Sequence, residues 1–424
     1  MYMLNALKRR LYFIVARYFR FWARLSLMRW HPKVIVITGS AGKTTLLHLV
    51  EAQLGDKAHY SHHANSAYGI SFDILGLHGV TKSRTDWLKL IVKAPLRAVS
   101  FKHSEQFYVA EVDADRIHEA QFIAEFLKPA ITMWVSSLHT HTIGFDHAVA
   151  SGTFTSPEAA IAHEYGNIAA RTTELVLYDA DNKLVVEQVK RTKAQAIGVS
   201  QTDVTAYSLS RNSTTFITKE GIISFPGLVP QVLFTQLYMV EALMRELNLE
   251  LDESYAKFVM PPGRSSMFEG KKDTVLIDST YNNSNIDSMT GIINMFDVYP
   301  AKHKWLVLGD ILEQGKDEAR EHQDIAKTLN AITADRVLLF GKRLANHTVP
   351  LINNSKIGHL QVFEHPRDIR DYLLKELSGG EAILFKGAGF FEALIEALLE
   401  NPADAKLLVR QEPLQRKRRQ DFGL

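Results

Sequence analysis

The 424-residue sequence predicts an α/β fold: a doubly wound, mostly parallel sheet followed by a second α/β domain. Three observations carry that prediction. Runs rich in β-branched residues alternate with helical runs from Val34 to Leu177; the first such run passes directly into a glycine loop and a helix; and the alternation resumes, after a proline-rich break, from Thr274 to Leu399. With 46% hydrophobic residues the chain buries more than one core, because single cores stop growing at about 250 to 300 residues, and two or three domains are expected.

Residues 1–33 stand apart. They hold Lys8, Arg9, Arg10, Arg17, Arg20, Arg24, Arg29 and Lys33 with no acidic side chain, although the whole chain is only +2. The cations interleave with Tyr12, Phe13, Tyr18, Phe19, Phe21, Trp22 and Trp30, and the longest uncharged apolar run, Leu11 to Ala16, is far too short to span a bilayer. Two readings stand: an interfacial helix on anionic lipid, with Arg10, Arg17, Arg20 and Arg24 on one side, or a helix packed on the protein. No small-residue cleavage site follows a proper apolar core, so the expected residence is cytoplasmic, and the lipid reading adds a peripheral seat at the inner membrane face. The absence of cysteine excludes disulfides, thiolate metal sites and thiol nucleophiles, and fits a reducing compartment.

The first strand, Val34 to Thr38, leads into Gly39-Ser40-Ala41-Gly42-Lys43-Thr44-Thr45 and then the helical run Leu46 to Leu54. The chemistry of this loop suits a nucleotide triphosphate. Glycines let backbone N–H groups approach phosphate oxygens, the helix N-terminus adds positive potential, Lys43 bridges the outer phosphates and Thr44 offers a hydroxyl to magnesium. Only two residues separate Gly39 from Gly42, where the generic pattern has four between its glycines. Phe107 to Val112 is a second strand, with Glu111 near the end where open α/β sheets bind ligands. Pro129 to Val135 is a third, running out into a loop with His139 and His141; no cluster with zinc-ligand spacing is visible beyond these two.

Residues Thr202 to Pro226 read as strands with turns, and Val232 to Leu247 as a helix leading to Pro261-Pro262-Gly263-Arg264, a hinge or a plain linker. The second domain places strands near Val275, Trp305, Arg336, Gln361 and Ala382. Asp278 ends the first of these, as a site residue or a turn former. Asp310 follows Gly309 either as a helix cap or as a substrate contact. Lys386-Gly387-Ala388-Gly389 forms an anion nest or a tight turn before the helix Phe390 to Leu399. The tail contains Arg416-Lys417-Arg418-Arg419 and reads as solvated; because the body is not basic, no specific nucleic acid is expected.

Taken together, GSAGKTT at 39–45, the Glu111 strand end, the His141 loop, PPGR at 261–264, DSTYNNSNIDSM at 278–289 and VLGDILEQG at 307–315 resemble the Mur ligase family over roughly Val34 to Leu399. The resemblance implies a central P-loop ATP-binding domain over 34–262 and a C-terminal Rossmann-like α/β domain over 263–410. The basic aromatic helical segment 1–33 and the basic tail 411–424 flank them. It implies an ATP-dependent amide-bond-forming ligase that proceeds through an acyl phosphate, with ATP and Mg2+ as cofactors. The closeness of 278–289 and 307–315 points to addition of D-alanyl-D-alanine to a UDP-muramoyl-peptide in peptidoglycan precursor synthesis.

Carried over position by position, the resemblance makes Lys43, Glu111 and His141 catalytic, with Thr44, Glu111 and His141 holding magnesium. The loop Gly39 to Thr45 contacts ATP, as do Arg264, Asp278 at the ribose, Tyr281 and Asn282. Asn65, Asn283, Asn285, Asp310 and Lys386 are implied substrate contacts, Asn65 resembling an asparagine just before a Gly69 turn. Three departures stand out. Tyr165 occupies the place of a lysine that the family carbamylates, leaving Glu164 or His163 as substitute ligands; Ser136 replaces a strand-end asparagine; and no adenine-contacting asparagine appears in Leu228 to Gln236. The family's uridine-binding domain is also expected to be missing, since only about thirty residues precede the first strand. A different membrane-presented or polymeric carboxylate acceptor, or a catalytically reduced nucleotide-binding scaffold, are the alternatives these departures raise.

Overall fold

The computed structural model describes all residues except 1, 63, 79–83, 115, 137–144, 146–148, 282–285, 313, 315–316 and 422, with backbone only at 2–11, 84, 413 and 421. They fall into two compact units, Met1–Asp203 with Phe234–Phe258, and Val204–Leu233 with Val259–Leu424.

In the first unit α1 (Tyr2–Trp30) precedes β1 (Lys33–Thr38), α2 (Lys43–Leu54), β2 (Ala58–Tyr60), α3 (Ala67–Ile74), α4 (Arg84–Ser100), β3 (Phe107–Val112), α5 (Glu119–Leu127), β4 (Ile131–Trp134), α6 (Pro157–Ala169), β5 (Leu175–Asp179), α7 (Lys183–Val189) and β6 (Gln195–Val199). The strands form one parallel sheet in the order β2-β3-β1-β4-β5-β6. Parallel strands covered on both faces must be apolar throughout, as the β-branched run of β1 and the wholly buried β3 and β4 are. β1 lies between β3 and β4, so the loop leaving its C-terminal end sits where the chain turns to either side of the sheet, the usual crevice for a ligand.

Local chemistry sets the helix starts. The Ser66 hydroxyl accepts the Gly69 N–H at α3, Ser156 accepts the Ala159 N–H at α6 with Pro157 in the first turn, and Asn182 caps α7. Gly69 therefore lies inside a helix and not in a turn; a Cβ there would stand 3.0 Å from the Ala64 Cα, and close packing explains the glycine. α1 lays Ala16, Phe19 and Ala23 into the core formed with Ile70, Phe72, Leu90, Ala94 and Tyr108.

Strands β7 (Val204–Leu209), β8 (Ser213–Thr218) and β9 (Ile222–Pro226) form an antiparallel sheet that groups with the second unit, before α8 (Phe234–Glu246) returns to the first. The second unit continues through β10 (Ser266–Gly270), β11 (Thr274–Ser279), α9 (Ile286–Asp297), β12 (His303–Gly309), α10 (Glu318–Ala331), β13 (Ala334–Phe340), β14 (Ile357–Phe363), α11 (Pro366–Glu376), β15 (Glu381–Lys386), α12 (Phe391–Leu398) and α13 (Pro413–Asp421). Its sheet runs β10-β11-β15-β12-β13-β14, antiparallel only at β10. The two-residue period of β12 serves two cores: Leu306 and Leu308 face α9 and α10, while Trp305 and Val307 face α11 and α12. The basic tail is solvated at Arg416, Lys417 and Arg418 but not at Arg419. It folds as α13, whose Arg419 is 5% exposed and pairs with Glu396 at 3.0 Å.

Candidate functional site

The loop after β1 takes its shape from two glycines in the left-handed half of conformational space, Gly39 (φ 133°) and Gly42 (φ 83°). A Cβ at Gly39 would meet the Ser136 backbone at 2.9 Å. That close approach is used: the Ser40 N–H donates to the Ser136 carbonyl (3.1 Å), the Ala41 N–H to the Ser136 hydroxyl (3.1 Å), and that hydroxyl donates to the Ala41 carbonyl (3.1 Å). Ser136 thereby pins the loop to the end of β4. The first bond inside α2 runs from the Leu46 N–H to the Gly42 carbonyl, so the Lys43 and Thr44 amides open the positive end of the helix.

Two pairs of groups meet beside this helix end. The Thr44 hydroxyl donates to Glu111 Oε2 at 3.1 Å, and the Glu111 N–H donates to the Ser61 hydroxyl at 2.8 Å. Lys43 is 7% exposed; its Nζ donates to the Gly39 carbonyl at 2.6 Å and forms an ion pair with Asp113 at 3.2 Å. The other oxygen of Asp113 accepts the Tyr165 hydroxyl (2.8 Å) and the Ala114 N–H (2.9 Å). Burial by itself pushes the Asp113 carboxyl upward, but the Lys43 charge outweighs it, together with the Tyr165 and Ala114 donors, and the group sits below the usual carboxylate range.

Asp113 is the residue that sequence reasoning missed. Tyr165 points its hydroxyl at this carboxylate, which lies beside the phosphate-loop lysine. Neither substitute considered for Tyr165 does so. Glu164 accepts the His118 N–H at the start of α5 (2.8 Å), with burial pushing its carboxyl up, and His163 meets Arg191 at 3.3 Å. The available signal was the parallel register: Thr38 pairs with Val112, which puts Asp113 alongside Gly39. Asn65 is exposed next to this cluster, its carbonyl accepting the Asp113 N–H at 2.9 Å. His141, His139, Asn282, Asn283 and Asn285 lie outside the described residues.

The second unit gathers other predicted residues at the C-terminal ends of β11 and β15. Asp278 is fully buried; one oxygen accepts the Thr280 N–H (2.9 Å) and hydroxyl (2.7 Å), and the other meets no donor among the described residues. Burial pushes its carboxyl up against those bonds and the charges of Arg410 and Lys386. Lys386, 3% exposed, donates to the Ser288 hydroxyl at 2.9 Å. Burial first, then the Arg264 charge, push its ammonium down to about 8, with Asp278 opposing. Arg264 lies 5.0 Å from the ring of Tyr281, which is 54% exposed. Asp310 accepts the Leu344 N–H at 2.9 Å and the Arg343 N–H at 3.3 Å.

Folding also assembles histidine clusters that sequence spacing hid. Glu51 lies between His48 and His62, each at 3.1 Å, and the three ligand atoms fall within 4.8 Å of one another. His59, His103 and Glu105 form a second group, in which Asp73 stands 3.2 Å from His59. A surface depression of about 460 Å³ lined by Gln53, Asp56, Lys57, Glu105 and Lys257 lies toward the N-terminal end of β3, the opposite end of the sheet from the loop.

Comparison with known proteins bears on these arrangements. Residues 263–389 match the family model described as Mur ligase, glutamate ligase domain. The chain is similar to the UDP-N-acetylmuramoyl-tripeptide--D-alanyl-D-alanine ligase of Borreliella burgdorferi, at 23% identity over 84% of this chain and 72% of that one. It is similar to the ligase of the same name from Synechocystis at 24% identity, over 88% and 76%. Among solved structures, MurF from Acinetobacter baumannii superposes with a TM-score of 0.67 at 19% identity, covering 90% of this chain and 79% of that one. MurF ligase from Thermotoga maritima in complex with ADP gives 0.64 at 20% identity, covering 95% and 84%.

Proposed function

We propose, from the match of residues 263–389 to the Mur ligase glutamate ligase domain and the similarity to the two ligases over most of the chain, that this is a Mur ligase that uses ATP to join D-alanyl-D-alanine to a UDP-N-acetylmuramoyl tripeptide in peptidoglycan precursor synthesis. The observation that carries this reading is the loop at 39–45, with Lys43 and Asp113 paired at 3.2 Å and Thr44 and Glu111 at 3.1 Å beside the open end of α2. Lys43 and the first-turn amides match the charge of a triphosphate. A hydroxyl facing a carboxylate is the all-oxygen donor set that magnesium prefers, so Thr44 and Glu111 are the residues to hold it. When bound, magnesium offsets charge on the phosphates. Arg264, Asp278 and Tyr281 are proposed as further nucleotide contacts, and Lys386 and Asn65 as substrate contacts.

The reaction transfers the γ-phosphoryl group to the tripeptide carboxylate. With ADP released, the amine of the dipeptide attacks the acyl carbon, the carbon–oxygen bond to phosphate breaks, inorganic phosphate leaves, and the nitrogen gives up a proton as the amide forms. Little covalent work falls to the protein. Lys43, held by Asp113, balances negative charge on the transferring group, and positioning supplies much of the rate. Tyr165, at the position where the resemblance expects a carbamylated lysine, donates its hydroxyl to Asp113 and so is proposed to hold that carboxylate beside Lys43. These substrates place the reaction in the cytoplasm, and the basic 1–33 segment is assigned a peripheral seat at the inner membrane face.

Phosphate release from ATP and magnesium, measured with UDP-muramoyl-tripeptide and with or without D-alanyl-D-alanine, tests the assignment, with Lys43→Ala as the blank. Release that requires both substrates is expected. ATP binding without release under any of these conditions would overturn it, and would favour a different carboxylate acceptor or a scaffold role.

A further inference from the structure

The two helices that cover one side of the first unit turn apolar side chains toward solvent. Along α1 the outward positions are Ile14, Arg17, Phe21, Arg24 and Met28, a repeat of three and four residues that alternates apolar and cationic side chains. Ile14, Phe21 and Met28 are 57%, 62% and 60% exposed. Along α4, Leu88, Val92, Leu96 and Val99 are 59% to 65% exposed, with Ile91 beside them and Lys89 and Lys93 exposed at the flank. These eight are among 21 large apolar side chains exposed among the described residues, and no other pair of elements concentrates them so. A helix on a water-facing surface normally presents polar residues there.

The stripes belong to one surface. The Tyr18 hydroxyl donates to the Ile91 carbonyl at 2.7 Å and Arg29 to the Ala98 carbonyl at 2.8 Å, so the helices lie side by side. Both bury their opposite faces in the same core, α1 through Ala16, Phe19 and Ala23 and α4 through Leu90, Ala94 and Ala98. Charge on this surface is one-sided. α1 has no acidic residue, and the Asp86 of α4 is paired with Lys89 at 3.2 Å.

We infer that α1 and α4 together form a lipid-binding face that seats the unit on an anionic bilayer. Ile14, Phe21, Met28, Leu88, Leu96 and Val99 enter the boundary between headgroups and acyl chains, while Arg17, Arg24, Lys89 and Lys93 meet the phosphates. A second copy of the chain does not fit, because apposing two such faces brings Arg17, Arg24 and Lys93 of each copy together, with Asp86 already engaged by Lys89. The seat is peripheral, since no described helix is long and apolar enough to cross a membrane. This inference rests on the peripheral placement of 1–33 and extends it to α4; it is independent of the ligase chemistry.

The test is vesicle flotation of the full chain, with phosphatidylcholine vesicles and with vesicles of phosphatidylcholine and phosphatidylglycerol, for the wild type, Phe21→Asp and Leu96→Asp. Both substitutions are on exposed positions, and unchanged circular dichroism and phosphate release mark them as folded. The expected result is flotation with anionic vesicles alone, weakened at least tenfold by either substitution. If Phe21→Asp abolishes flotation and Leu96→Asp does not, α1 acts alone and the two-helix face is overturned while the peripheral placement survives. No flotation of the wild type with anionic vesicles overturns both, and a dimer lost in both variants assigns the face to self-association instead.

Discussion

Two buried lysines, Lys43 at the start of α2 and Lys386 at the C-terminal end of β15, have opposite electrostatic settings. Lys43 has a carboxylate at 3.2 Å, itself held by a tyrosine hydroxyl. Lys386 meets the Ser288 hydroxyl, with burial and a nearby arginine pushing its ammonium down to about 8 and Asp278 holding it only partly up. Nearby, one oxygen of Asp278 is buried without a donor among the described residues. The difference teaches where charge is already balanced in the folded protein. The loop of the first unit carries its own counter-ion, whereas in the second cluster burial pushes a cation downward and an acid upward from their ordinary pKa values, a frequent property of groups that bind or react.

The largest expected effect would break the first half of that comparison. Asp113→Asn leaves the Lys43 ammonium buried without its carboxylate, and breaking such a pair costs about 3 kcal/mol. Urea melts should show that loss, and ATP-dependent phosphate release should fall at least about tenfold. A variant as stable and as active as the wild type would make the pair a bystander.

The second prediction sharpens the other half through pH. With its folded pKa near 8 and an unfolded value near the ordinary 10.4 of lysine, Lys386 binds fewer protons in the native state between those limits. Stability should therefore rise with pH across that window, by about 3 kcal/mol. Lys386→Met should be flat in this respect and more stable than the wild type below pH 8. Denaturant melts at pH 7, 8.5 and 10 decide it.

Smaller effects follow for the groups that support each setting. Tyr165→Phe removes one hydrogen bond to Asp113 and should cost about 1 kcal/mol, with a smaller kinetic change than Asp113→Asn; an equal or larger rate loss would make Tyr165 more than a support. Away from both sites, burial pushes His59 down but the Asp73 carboxylate outweighs it, and the imidazole titrates above its usual value. Its contribution is therefore complete below about pH 6.5 and fades as pH rises through the raised value. His59→Gln should lower the melting temperature more at pH 6 than at pH 8.5, by less than about 1 kcal/mol in stability.

Much of this architecture was legible because it depends on local patterns. β-branched runs marked the strands, a glycine run marked the loop between β1 and α2, and Glu111 was placed at its strand end without any coordinates. Other assignments depended on which alternative a side chain took. Asp310 was readable as a cap of the element that follows it or as a contact, and in the fold it accepts the Arg343 and Leu344 amides of a distant segment instead of capping its own. The tail looked solvated because its cations dominate the composition, yet Arg419 is buried against Glu396. Asp113 was passed over because nothing in its neighbours along the chain distinguishes it from an ordinary strand-end aspartate.

The order of strands and helices, the glycine loop and the basic, aromatic character of the first helix were determined by the sequence alone, since backbone preference and hydrophobic period act over a few residues. Tertiary structure decided the rest. The parallel register of β1 with β3 and β4, pairing Thr38 with Val112 and with Trp134, brings Asp113 and Ser136 to the loop from 70 and more residues away. Side-by-side packing of α1 and α4 likewise turns two separate amphipathic helices into one basic, apolar face. Such meetings depend on how whole elements stack, and pairing between distant segments leaves no periodic trace in the chain itself.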